Sequence, residues 1–418
     1  MSTTFISGFR TRDARFSLQP GEGSDAVHSD PQYSFAVTHL EGRAGLVGTG
    51  LTLTMGAGNN VVCDLIALLA PALVGLEIEE LMSDFGKTFR ELCDHPQIRW
   101  LGPHKGAVHL AVASITNACF DLWAKSRGLP LWRLLLDLKP RDVIRLLDLS
   151  YLEDALNEEA ALAILEANEK DRCVREPILN KGYPGYDTSV GWFRFGDAQI
   201  QTNAKHALAG GFRAFKLKVG SGDVQTDIRR AQLLRETVGD AIPIMLDANQ
   251  QWSLPKAIRA CRELAPISPF WIEEPTHPDD LFAHQVISRE ISPIPFAIGE
   301  HVPNRVVFKN YLQGGCVNFL QVDCTRVGGV SEFITTSLLA RKFTVPVVPH
   351  VGDMGQIHQH LVLFNHIAMG HPVVFLEHIP HLRQWFVHPA QVEDGKYKTP
   401  QDPGSSSDLK TREEPQAS

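Results

Sequence analysis

The seven cysteines form no CxxC pair, and seven is an odd number. That usage argues against a zinc site or a disulfide framework and favours reduced thiols, so a cytoplasmic protein is expected. No run of about 18 apolar residues occurs, so no membrane-spanning helix is expected. Residues 1–20 lack the positive-then-apolar pattern of a secretory leader. Basic residues are outnumbered, 40 Lys and Arg against 48 Asp and Glu, for a net charge of -8. A nucleic-acid surface needs the opposite balance, and nothing in this charge suggests attraction to a membrane. An anionic substrate would therefore need local neutralisation, from a metal ion or from lysines.

What is present is ordinary globular material, 44% hydrophobic and 21% charged. Residues 1–60 hold short runs bounded by glycine, YSFAVTHLEG and LVGTGLTLTMG, which predict an antiparallel sheet. From 61 to 135 the apolar spacing is three and four, which predicts helices. Sheet followed by helices implies a separate α+β domain, placed at 1–140. Strand–helix alternation then runs over 141–378. VIRLLDL is taken as its first strand, and an inserted helix pair is expected between Glu153 and Phe195. Residues 379–400 lose the alternation and are expected to return to the first domain. Residues 401–418 are polar and rich in Pro and Ser, and a disordered tail is expected there.

The alternating region carries a second regularity. Asp247, Glu273, Glu300, Asp323, His350 and Glu377 follow one another at 26, 27, 23, 27 and 27 residues, with Lys218 29 residues ahead. Each ends a short apolar run, as in FKLKV, IMLDAN and FWIEEP. The interval is that of a βα unit. A closed barrel of such units gathers its strand C-termini on one face, where chemistry is built. Asp247, Glu273 and Glu300 would converge there, and their repulsion calls for a cation. Hard oxygen ligands suit Mg²⁺. Lys216 and Lys218 share one face of a strand, and each cation should lower the other's pKa towards that of a base. Asp323 and His350, one unit apart, form an orienting carboxylate–imidazole pair. Glu377 is placed to donate or accept a hydrogen bond on a substrate carboxylate oxygen, and would have to be protonated to donate. Taken singly, each of these residues has a plain structural explanation: a solvated acid, a paired lysine, a core histidine. The register of all of them favours one pocket that removes a proton α to a carboxylate.

With those residues the chain resembles the enolase superfamily, mandelate racemase subgroup, and within it the L-fuconate dehydratases. The resemblance runs over about residues 5–400, through GSDAVHSDPQYS, RWLGPHKG, GYPGYDTSVGW, LDANQQW, GEHVPNRVVFK and QVDCTRVGGV. It implies a modified (β/α)7β TIM barrel under an N-terminal α+β capping domain. It also implies metal ligation by Asp247, Glu273 and Glu300 and catalysis by Lys218 with the His350–Asp323 dyad. Substrate contacts are implied for Lys216, Asn249 and Glu377, and for Gly23, Ser24, Asp25 and Tyr33 of the cap. His301 and Trp100 are further candidates for pocket walls. The resemblance further implies a homo-oligomer and a small acid-sugar substrate. The implied reaction is Mg²⁺-dependent dehydration of L-fuconate, with Lys218 or His350 as the base. Another sugar acid such as galactonate or rhamnonate, racemisation at C2, or a catalytically silent binding role are the alternatives. One departure stands out: after His350 the sequence brings in Asp353 and His358, expected as polar groups near the pocket mouth.

Overall fold

The computed structural model describes residues 3–351 and 354–410, except the side chain of Ala44. Three antiparallel strands lead the chain: β1 (Gly8–Phe16), β2 (Tyr33–Glu41) and β3 (Val47–Thr54). Eight of the nine residues of β2 are buried, because helices cover the sheet. The chief cover is the helix Gly106–Ser126. It is long and apolar enough to cross a membrane, but 89% of its apolar window is buried inside the protein. Here it is the core of the cap.

Seven parallel strands and one isolated bridge follow. They are β4 (Tyr183–Gly191), β5 (Phe215–Lys218), β6 (Ile244–Asp247), β7 (Trp271–Glu273), β8 (Phe296–Ile298) and β9 (Phe319–Leu320). A bridge from Leu320 to Val347 supplies the seventh position, and β10 (Leu376–His378) the eighth. β10 pairs with β4, so the two ends of the series come back toward each other. Helices alternate with these strands, from Asp197–Ala209 to Ile357–Met369. The architecture is the α/β one expected, a (β/α)7β arrangement under an α+β cap.

Three segments differ from expectation. VIRLLDL is no strand: Pro140–Arg145 is a helix with proline in its first turn, where the missing N–H costs nothing. The first barrel strand is instead β4, with the sequence YPGYDTSVG. Glycine and proline make that segment a poor strand by propensity. Close packing requires the glycine at its end, since a Cβ on Gly191 would lie 2.7 Å from Leu217 Cδ1. The helical insertion before it comprises Glu158–Glu169 and two single turns, Arg172–Arg175 and Ile178–Lys181.

The third difference is the tail. Residues 401–410 are ordered against the cap: Ser405–Ser407 are buried, and Ser405 donates its backbone N–H and its hydroxyl to Asp121. Asp121 is a fully buried carboxylate on the core helix, and it needs those donors. Residues 411–418 lie outside the described residues. The preceding segment also packs on the cap, with Trp385 against Phe16 and Phe386 against Phe35.

Candidate active site

The parallel ladder sets the site. Lys218, Asp247 and Glu273 are register partners across β5, β6 and β7. Glu300 follows β8 by two residues, Asp323 follows β9 by three, and Glu377 lies on β10. Oxygens of Asp247, Glu273 and Glu300 all lie within 4.8 Å of one another. Lys218 Nζ is 2.5 Å from Asp247 Oδ2. Lys216 Nζ contacts Glu273 Oε1 at 2.9 Å and Glu377 Oε1 at 2.6 Å, and lies 5.5 Å from the centre of the Tyr186 ring. Across the site, His350 donates from Nδ1 to Asp323 Oδ2 at 2.7 Å, and its Nε2 lies 3.5 Å from Glu300 Oε1.

These contacts set the charges. Burial pushes Lys218 down, but the Asp247 carboxylate outweighs it, and the net direction is up. The lowering expected from lysine–lysine repulsion loses here because carboxylates outnumber the lysines. Burial, and then repulsion from Asp247, push Glu273 up to about 7. Burial opposes the charged form of His350, yet Glu300 and Asp323 raise it to about 9. For Glu377 burial is likewise outweighed, by Lys216, and the net direction is down. Glu377 is therefore a carboxylate, not a protonated donor. Its oxygens already accept from Lys216, from the Thr188 hydroxyl and from the Val351 N–H.

A cavity of about 340 Å³ opens above this cluster, within the size range of small-molecule sites. Lys218, Asn249, Glu300, His301, His350 and Glu377 line its floor and walls, and Gly23, Asp25 and Tyr33 come from the cap. Residues not anticipated from sequence also line it, among them Val27, His28, Met55, Trp192 and Arg326. His28 sits three residues after Asp25 and is bonded to it, a spacing legible in GSDAVHSD. Arg326 donates to the Glu300 carbonyl. Ser24 is buried beneath the loop, where its hydroxyl donates to Gly21 O and accepts from the Arg194 N–H. Gly23 has φ 68° and no room for a side chain, with Leu18 2.7 Å from where a Cβ would stand. Asn249 and Gln250 also adopt positive φ, turning the chain back at the end of β6.

Three expectations are placed elsewhere. Trp100 is 92% exposed, so it is not a pocket wall. His358 is buried behind Asp323, not at the mouth, because it sits in the first turn of the helix Ile357–Met369 and points inward. Asp353 lies outside the described residues. Lys216, expected against substrate, is 1% exposed and enclosed by carboxylates below the cavity.

Residues 11–135 match the N-terminal domain of the mandelate racemase/muconate lactonizing enzyme family, and residues 199–413 match the enolase C-terminal domain-like family. The chain belongs to the enolase superfamily, mandelate racemase subgroup. Human mitochondrial enolase superfamily member 1 is 40% identical, over 97% of this chain and 94% of the relative. Its crystal structure superposes with a TM-score of 0.93, covering 98% of this chain and 95% of that one. The L-galactonate dehydratase of Hypocrea jecorina is also 40% identical, over 98% of this chain and 93% of the relative. The L-talarate/galactarate dehydratase of Salmonella typhimurium, crystallised with Mg and L-lyxarohydroxamate, has a TM-score of 0.76 at 25% identity, covering 99% and 92%.

The donor set here fits the same ion. Asp247, Glu273 and Glu300 offer hard oxygens, and Glu300 Oε2 and Asn249 Oδ1 are buried acceptors with no protein partner among the described residues.

Proposed function

We propose that this protein is a Mg²⁺-dependent hydro-lyase that dehydrates a six-carbon monocarboxylic sugar acid, L-fuconate best, to the 2-keto-3-deoxy acid. The observation that carries this reading is the placement of Lys218 and His350 at the second and seventh strand positions, on either side of three converging carboxylates. When bound to Asp247, Glu273 and Glu300, the ion would supply positive charge that neutralises the substrate carboxylate and offsets the hold of Asp247 on the Lys218 proton.

Lys218 takes the proton from C2. His350, protonated at neutral pH by its carboxylate neighbours, gives a proton to the departing C3 hydroxyl, which leaves as water. The resulting enol becomes the 2-keto-3-deoxy acid. Asp323 holds the His350 ring with Nε2 toward the cavity. Asn249 and His301 take substrate hydroxyl and carboxylate oxygens from the walls, Glu377 accepts from a substrate hydroxyl, and Lys216 holds Glu273 and Glu377 in place. The cap loop, with Asp25 and Tyr33, closes the site and excludes water.

L-Fuconate is L-galactonate without its 6-hydroxyl, so the two differ at one end only. The L-galactonate dehydratase relative supports that configuration at the other carbons. Val27, Leu53 and Met55 line the cavity and favour a methyl group over a hydroxymethyl group there.

The test is a screen of acid sugars with Mg²⁺, detecting 2-keto-3-deoxy products, repeated after EDTA. EDTA-sensitive turnover of L-fuconate above L-galactonate is expected. Inversion at C2 without a keto acid would make the protein a racemase. Tight binding of another ligand with no turnover would make it a binding protein.

A further inference from the structure

Asp323 uses only one of its oxygens for His350. Its Oδ2 accepts from His350 Nδ1. Its Oδ1 accepts from the Thr325 N–H and the Thr325 hydroxyl, each at 2.7 Å, and lies 2.8 Å from His358 Nε2. Thr325 belongs to the turn that follows Asp323. His358 comes from another element, the helix Ile357–Met369, and is 1% exposed. Two imidazoles therefore grip one buried carboxylate from opposite oxygens, one facing the cavity and one behind it.

We propose that His358 is a positioning residue: it donates from Nε2 to Asp323 Oδ1 and so fixes the carboxylate plane that aims His350 at the substrate. The tautomer follows from the distances. Nε2 also lies 3.1 Å from the Cys324 amide nitrogen, whose N–H it accepts only by giving up the proton on that nitrogen. An unprotonated nitrogen set 2.8 Å from a carboxylate oxygen would put lone pair against lone pair, so the nearer contact requires Nε2–H. The other ring nitrogen, Nδ1, is buried with no protein partner among the described residues. In the neutral Nε2–H form Nδ1 carries no proton, so the ring itself leaves no buried donor unsatisfied. The far side of the ring packs edge-on to Phe333, at 6.3 Å between ring centres. A carboxylate tied only to its own turn can rock about its Cβ–Cγ bond. A third anchor from a separate helix removes that freedom, and partners at one remove from the reacting groups typically matter about 10–100-fold.

The test has one arm that needs no substrate. In ¹⁵N-labelled protein, the His358 ring is expected as the Nε2–H tautomer. The downfield imidazole N–H resonance of the Asp323–His350 bond, assigned by its loss in His350→Asn, is expected to weaken or exchange faster in His358→Leu. It should return in His358→Gln, whose amide N–H reaches the same oxygen. The kinetic arm rests on the dehydratase reading. There, His358→Leu is expected to lower kcat by roughly 10- to 100-fold with KM little changed, and His358→Gln to recover most of it. An Nδ1–H tautomer in the wild type overturns the proposal, even if the leucine variant does not fold. So does a leucine variant with an unchanged His350 resonance and unchanged kcat. If the wild type turns over no acid sugar, the dehydratase reading fails, and the resonance arm still decides the role of His358.

Discussion

Two buried charge clusters lie on either side of the barrel wall, and they are built to different ends. The seam between cap and barrel holds Arg305, Glu332, His109 and Asp148. Glu332 accepts from His109 at 2.6 Å, from the Gly328 N–H at 2.7 Å and from the Arg305 guanidinium at 3.1 Å. Arg305 also donates to Asp148 at 2.5 Å, and Arg90 closes the network on the same carboxylate. No buried side-chain nitrogen or oxygen of these residues is left without a partner among the described residues. At the barrel mouth the acids instead crowd together, and Glu300 Oε2 and Asn249 Oδ1 have no protein partner among the described residues. Both clusters carry desolvated charge, so burial alone does not mark a site. What separates them is the leftover acceptors, aimed into a cavity that a ligand can fill.

Breaking the two clusters should give opposite signatures. At the mouth, Lys218→Ala and His350→Asn should each cut turnover by roughly 10²- to 10⁴-fold, the usual weight of a positioned acid or base. With Mg²⁺ supplying the charge that Lys218 otherwise gives Asp247, melting temperatures should stay close to wild type, and normal turnover in either variant would sink the assignment. At the seam, Glu332→Gln should cost about 3 kcal/mol of stability, the low end for breaking a buried ion pair, because Arg305 loses one of its two carboxylate partners and keeps Asp148. Urea unfolding measures this. Burial opposes the charged form of Glu332, but His109 and Arg305 outweigh it and hold the carboxyl below its ordinary value. Its contribution is therefore complete at neutral pH and is lost as pH falls through the ordinary carboxylate range towards the folded value. Glu332→Gln should flatten that acid limb, and an unchanged limb would show that the seam gains nothing from this charge.

Metal sharpens the contrast. Saturating Mg²⁺ at about 100 times its dissociation constant should raise wild-type stability by about 2.7 kcal/mol. Glu300→Gln should lose most of that increment, while changing metal-free stability far less than Glu332→Gln does. Equal Mg²⁺ responses in the wild type and Glu300→Gln would mean that the ion sits elsewhere.

The spacing of the acids made the mouth legible in sequence, because each barrel strand delivers one residue to the same rim. The seam was not legible. Its partners come from elements far apart in the chain, such as His109 and Glu332, and no period links them. β4 was missed because close packing at Gly191 overrides strand propensity. Residues 401–410 looked like a solvated tail because their partner, Asp121, is hidden in an apolar helix. His358 stands out in the sequence, but its place behind Asp323 does not, since sequence does not show toward which side a helix turns its first residues.

The smallest effect expected is at the far end of the cavity, and it is also the most specific. Met55 lines the cavity with Val27 and Leu53, the apolar side chains proposed to take the 6-carbon of the sugar acid. If that wall selects a methyl group, Met55→Gln should lower kcat/KM for L-fuconate relative to L-galactonate by about 1 kcal/mol, the low end for a group the size of one methylene. The ratio is the proper measure, because the two substrates share every other carbon and any general damage cancels. Both should still be dehydrated, since Lys218 and His350 are untouched. A ratio unchanged by Met55→Gln would mean that the 6-carbon points to another wall, and Arg326, which lines the same cavity and is bonded to the Glu300 carbonyl, is the residue to replace next.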